Sequence, residues 1–385
     1  MFEGVSYLVI DERQLRLTWP LLLRANVSNM GTIVLSHTTA LRAIRFARRA
    51  YHTLPWDRIG RVEQRRALAS CAPSEREVDL SDLARWGIRW EPGLEKPHVL
   101  VGAAAARRQY GKIACHVHAA PLPTGALMRM SSGAYCTSPA LTALQCSEGK
   151  PLGEVLALLM ELLGTYCLPC EEGWPDVPDG FSRYDAMDCA VEQVHYRCAP
   201  VMTIREIRAL AHQAKSSRYS VFRLAARTAL AGSASPAETV MGGMFAAPKG
   251  SGGFACSKLP GGGIILNHRV DFEGDALRMS SGVPYAVCDA FFPAARIDVE
   301  YNGAGHEVGN VRVHDGQRNN GLKGMGVTVL VMNRDQMRDV EALEAIARTI
   351  YRASGVRFRY DVSGYRSRQV ALLNDLRRGS GLPPI

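Results

Sequence analysis

Two acids, Asp289 and Glu300, stand in the stretch VCDAFFPAARIDVEYNGAGH, which runs from Val287 to His306. Its apolar positions, Val287, Phe291, Ile297, Val299 and Tyr301, carry the pattern of a half-buried strand hairpin, and that pattern has no need of carboxylates. A turn centred between Ala294 and Ala295 sets Asp289 directly across an antiparallel ladder from Glu300. Period-two alternation puts Asp298, Glu300 and Asn302 on one face of the second strand and Ile297, Val299 and Tyr301 on the other. Crowded carboxylates repel, and a divalent cation neutralises them best. Hard oxygen ligands favour magnesium, which orients water and stabilises charge on a phosphate, so this spacing predicts phosphodiester hydrolysis. Asp298 reads as a solvated strand acid.

The elements that must position these residues are legible around them. A helix is expected near 217–231, and a second opens at SPAETVMGGMF, with Ser235 as cap and Pro236 at the first helical position. Glu238, three residues after the cap, has two readings: a capping-box acid reaching back to the cap residue's amide, or part of a metal shell. Strands are expected near 263–270, 284–292, 296–301 and 327–332, and an amphipathic helix near 336–353. KGSGGFACSKLPGGG lacks the Gly-Lys-Ser/Thr ending of a nucleotide loop and reads as a long hairpin connection.

At this point CDAFFPAARIDVEYNGAGH, followed by VHDGQRNNGLKGMGVTVLVM, resembles the very-short-patch-repair-like endonuclease branch of the PD-(D/E)XK superfamily. The resemblance covers residues 233 to 360, about a third of the chain. It implies a restriction-endonuclease-like mixed sheet flanked by helices, with Asp289 as metal-binding Asp, Glu300 as second acid, His306 as the His after the Gly, and Glu238 as an acid of the first helix. It further implies Mg2+ as cofactor, DNA as partner, and nucleic-acid contacts from Arg318, Arg312 and Lys323. Asp315, Arg318 and Leu322 match the following helix, where Arg318 either holds a phosphate or pairs locally with Asp315. Asn302 stands where the superfamily's name calls for Lys and cannot supply a positive charge.

The remaining chain bounds these expectations. With 385 residues, 47% hydrophobic and 22% charged, it has the composition of a globular α/β protein of two or three units. The expected division is a helical region and linker over 1–95, a small α/β or α+β domain over 96–215, the nuclease-like domain over 216–370 and a tail over 371–385. A net charge of +9 attracts polyanions. The N-terminus carries acids and no basic lead into an apolar core, and the best apolar run, 151–170, is broken by Glu154 and Glu161. A cytoplasmic protein without a membrane partner is therefore expected.

In SHTTALRAIRFARRAY the face bearing Arg42, Arg45 and Arg49 reads as solvated, with phosphate contact as the other reading. Residues 61–95 read as a link or peripheral segments. CLPC, Cys167 to Cys170, has the spacing of half a zinc site, but Cys189 and Cys198 are too widely spaced to complete it, so Zn2+ is not expected there. Cys115, His116 and His118 alternate along a strand and read as surface or core detail. The rival to an active nuclease is a silent nucleic-acid-binding or antitoxin-like regulator, supported by Asn302 and the basic helix. The N-terminal region would select a target or a protein partner in either case.

Overall fold

The structure is a computed structural model that describes residues 31–90, 95–108, 112–170, 194–302, 309–360 and 363–385, with the backbone alone over 309–315. Strand β1 (Ile33–Leu35) passes through Ser36 into helix α1 (His37–Tyr51). Then come β2 (Asp57–Arg58), α2 (Arg61–Ala69), α3 (Leu80–Ala84), β3 (His98–Val101), β4 (Ala114–Val117), β5 (Leu127–Arg129) and β6 (Ala134–Thr137). These short strands build one six-stranded sheet in the order β2-β5-β6-β1-β3-β4. Strand β1 runs parallel to β6 and antiparallel to β3, and β3 runs parallel to β4. The boundary expected at residue 95 falls inside this sheet, because β1 and β2 pair with strands beyond it. The expected linker also carries two helices, whose Gln64, Leu68 and Leu83 are buried along with Ile88 and Trp90 just after them.

Helix α1 lies on the sheet, helix α4 (Pro139–Cys146), capped by Ser138, packs on α1, and α5 (Leu152–Leu162) packs on α4. Their packing overturns the expectation of a solvated or phosphate-facing arginine face on α1. Arg42 and Arg45 of that face are buried and Arg49 is half-buried, while Arg48 beside them is fully buried. Arg45 grips Glu161 of α5 through two hydrogen bonds, at 2.9 and 2.6 Å, and Arg48 donates to the carbonyls of Glu161, Gly164 and Ala199. The end of α5 leaves carbonyls and one carboxylate without intrahelical partners, and the guanidinium groups satisfy them. Glu161, which interrupts the apolar run, is thus the buried anion that α1 neutralises.

Strands β7 (Tyr166–Cys167) and β8 (His195–Tyr196) form a small ribbon, followed by α6 (Ile204–Gln213) and α7 (Ser220–Thr228). Helix α8 (Pro236–Ala246) comes next and is buried on nearly every side. Then follow β9 (Ile265–Asp271), α9 (Gly274–Met279), β10 (Tyr285–Phe292), β11 (Ile297–Asn302), α10 (Gly309–Gly324), β12 (Thr328–Asn333), α11 (Val340–Ala353) and α12 (Tyr365–Gly379). The second sheet has the order β12-β11-β10-β9, with β9, β10 and β11 antiparallel in turn and β12 parallel to β11. The glycine-rich run is not a hairpin connection. Residues 249–262 hold three short 3-10 turns that carry the chain from α8 to β9, burying Phe254 and Cys256. At Gly253 a Cβ would stand 2.2 Å from the Ala247 carbonyl, so only glycine fits that approach.

One contiguous core joins both sheets, running from Ile33 and Ile44 through Leu156 and Phe245 to Phe292, Leu343 and Leu376. Residues 371–385, expected as a tail, lie largely in α12, which packs along α5 and buries Leu372, Leu373 and Leu376. Gly243 of α8 makes room for this: a Cβ there would meet the Leu376 side chain at 2.5 Å. Among the described residues no helix is long and apolar enough to cross a membrane.

Candidate active site

The site forms where β10 and β11 part. Their ladder runs Phe292↔Ile297, Phe291↔Asp298 and Ala290↔Val299, closed by a turn over residues 293–296, and it stops there. Beyond it β10 stays paired with β9, while Glu300, Tyr301 and Asn302 stay paired with β12. Asp289 sits at the opening and its Oδ2 accepts the Tyr301 backbone N–H at 2.9 Å. The side chain thus takes up a backbone donor that the interrupted ladder releases.

The alternation of β10 inverts at the same residue. Ala286 and Cys288 join a small core with Leu322 of α10, whereas Ala290 and Phe292, of the same parity, join the main core. In the β9 register Asn267 lies between the partners of Cys288 and Ala290, and its φ is +48°. This local irregularity re-aims side chains in the way a bulge does. Asn267 uses its freedom to donate to the Gly232 carbonyl at 2.8 Å and to Glu238 Oε2.

Glu238 does serve the helix start, though not through the Ser235 amide. Ser235 Oγ accepts the Glu238 N–H at 3.1 Å and donates to Glu238 Oε1 at 3.0 Å, while Oε2 accepts from Ala234 N–H at 2.8 Å. Burial raises the Glu238 carboxyl above its ordinary value against these hydrogen bonds, and the charge of Glu300 adds to the rise. Burial first, then the charges of Glu300 and Glu238, push Asp289 up to about 7. The three acids therefore feel one another across the strand fork, but they do not bring three ligand oxygens within 4.8 Å of one another.

Asp298 corrects the expectation of a solvated acid. It is fully buried, and neither carboxylate oxygen has a hydrogen-bond partner. Arg318 Nη2 stands 3.5 Å away, and burial, followed by the neighbouring Glu300, drives its carboxyl well above the carboxylate range. The Arg318 guanidinium pairs with Glu300 Oε1 and donates to the Val287 carbonyl. It therefore faces inward, onto the acids of β11. Like-charged groups crowded at low dielectric need a countercharge, and α10 supplies it.

Asn302 is exposed at the end of β11 and adjoins Asn333 of β12. Lys323 is exposed and lines a groove of about 420 Å³ between α10 and β12 with Asn319, Thr328 and Val331. Val331 is the register partner of Glu300, so this groove runs beside the acids. His306 lies outside the described residues, and the side chains of Arg312, His314 and Asp315 do as well. Cys167 and Cys170 turn their thiols to the Arg45 and Arg42 carbonyls of α1, and burial raises both; Cys189 is outside the described residues. A groove of about 780 Å³ lined by Arg61, Arg65, His118 and Gln213 among others contains none of the acids. Sequence reasoning missed Asn267, the buried state of Asp298 and the inward aim of Arg318. An amide directly after the apolar run Ile264–Leu266 was the one available signal for Asn267.

Comparison of the chain with protein-family models, with curated proteins and with solved structures finds no match.

Proposed function

We propose that the chain over residues 216–370 is a restriction-endonuclease-like unit of the PD-(D/E)XK superfamily, close to the very-short-patch-repair branch, and that it hydrolyses DNA phosphodiester bonds with Mg2+. The observation that carries the reading is the order of elements around the acids. A helix bearing Glu238, three antiparallel strands, a helix and a fourth, parallel strand follow in sequence, with Asp289 and Glu300 at the fork of the two central strands. The carboxylates of Asp289, Glu300 and Glu238 are a donor set that suits a hard cation. Asp289 and Glu300 would hold the ion with Glu238 beside them, and the ion would supply charge neutralisation and a more acidic water. The chain's own residues fix the site: Tyr301 N–H orients Asp289, Asn267 holds Glu238, and Lys323 offers a cation in the adjoining groove.

A second reading draws on Arg318, whose guanidinium already neutralises Glu300, and on Asn302 in the place of a lysine. On it the unit binds nucleic acid as a catalytically silent or antitoxin-like regulator. The deciding experiment incubates the purified chain with supercoiled DNA, with Mg2+ or with chelator. Cleavage that needs Mg2+ and vanishes in Glu300→Ala while binding persists supports the nuclease. Metal-independent binding with no cleavage supports the regulator.

A further inference from the structure

The structure assigns a transition-metal site, distinct from the carboxylate fork, to His37, His98 and His116. The three residues are about 18 to 79 positions apart in the chain, yet one nitrogen from each lies within 4.8 Å of the others. The six-stranded sheet gathers them at one end. His37 opens α1, His98 opens β3 and His116 lies on β4, whose parallel register pairs it with Leu100, two residues along from His98. The backbone is pinned there: Ser36 N–H donates to the His98 carbonyl at 2.9 Å, and His98 N–H donates to Thr39 Oγ1 of α1 at 2.9 Å. His37 has a φ of +51°, a conformation that few side chains adopt and that tends to persist where a site needs it.

The ring nitrogens sort into inward and outward sets. His116 Nε2 faces His98 Nδ1 at 3.0 Å, and the His37 ring lies over His116 with centroids 3.7 Å apart. On the outer side His98 Nε2 meets the Glu95 carboxylate at 3.5 Å, and His37 Nδ1 meets Ser36 Oγ at 3.0 Å. A carboxylate or hydroxyl on the far nitrogen is how metal-ligating histidines are held in one tautomer, with the near nitrogen's lone pair turned to the ion. Zinc–imidazole bonds of about 2.0–2.1 Å put tetrahedral ligand atoms about 3.4 Å apart, so the 3.0 Å His98–His116 pair has to open slightly and no pair has more than about 1.4 Å to close. Three neutral imidazoles suit Zn2+ and its borderline neighbours and disfavour Mg2+ or Ca2+. The ion would fasten α1, β3 and β4 together and keep a fourth position for water.

The test uses untagged full-length protein, stripped with chelator and titrated with Zn2+ by calorimetry, with Co2+ as the spectroscopic probe. Expected are one equivalent of Zn2+ and the visible bands of a tetrahedral nitrogen-ligated Co2+. The binding should be lost in His98→Ala and His116→Ala, kept in Cys170→Ser, and weakened about 10- to 100-fold in Glu95→Gln. Glu95 is exposed enough that this last variant does not depend on refolding a core. Absence of uptake, uptake unchanged in both histidine variants, or thiolate-to-cobalt charge transfer would overturn the assignment.

Discussion

The acids at the strand fork should make the protein less stable as pH rises through neutrality, and Asp289→Asn isolates the effect. The carboxyl of Asp289 titrates at about 7 in the folded chain against an ordinary 3.8, with burial as the chief cause. A carboxyl raised by folding contributes stability that is fully present below the unfolded value and is lost as pH climbs through the folded one. Each decade of pH between the two costs about 1.4 kcal/mol, so the interval amounts to about 4 kcal/mol, a ceiling because Glu300 and Glu238 share the protons. Asn keeps an acceptor for the Tyr301 N–H and removes only the charge. Urea unfolding at pH 5, 6, 7 and 8 should show Asp289→Asn gaining on the natural chain from pH 5 to 7 and levelling off by pH 8, by at most about 2.7 kcal/mol between the extremes. Mg2+ at pH 8 should recover the lost stability in the natural chain and do much less in the variant. A difference that stays flat with pH, or a variant that falls behind at pH 8, would refute the coupling of burial and charge argued for the fork.

Two further outcomes follow from the packing. Arg318→Met takes the guanidinium from Glu300 and Asp298, and uncompensated buried charge should cost about 3–5 kcal/mol at pH 8 and visibly less at pH 5, read by the same urea series. Leu376→Ala in α12 should cost about 2–5 kcal/mol. Its unfolding midpoint should fall in tryptophan fluorescence, although Trp56, Trp86 and Trp90 all lie in the other half of the chain.

What the sequence discloses here is what neighbours along the chain decide. The turn between Phe292 and Ile297, the cap and proline that open α8, the four strands from Ile265 to Asn333 and the helix ending at Ala353 are set by local period and turn chemistry and lie within a few residues of expectation, whereas the short α9 was not expected. The expected opposition of Asp289 and Glu300 follows from the same register, although the ladder stops one pair short of it. Strands over 98–103 and 112–120 are legible from local pattern, but the six-stranded sheet they join is not, because its strands are two to four residues long and β1 pairs with β6, about a hundred positions away. The arginine face of α1 was misread for a related reason: helical charge pattern says where side chains point, and only the approach of α5 turns that direction into burial. The three histidines share no spacing that a motif could hold, and His116 gains company only when β3 and β4 align.

The contact between α12 and α5 sets the timing of assembly. Arg378 reaches Glu154 across 224 positions of chain, and Leu376 closes over helices made long before it. Pairings that distant must overcome a large loop-closure entropy and come late in folding. Until α12 has left the ribosome, the apolar flank of α5 stays open to water and to other nascent chains.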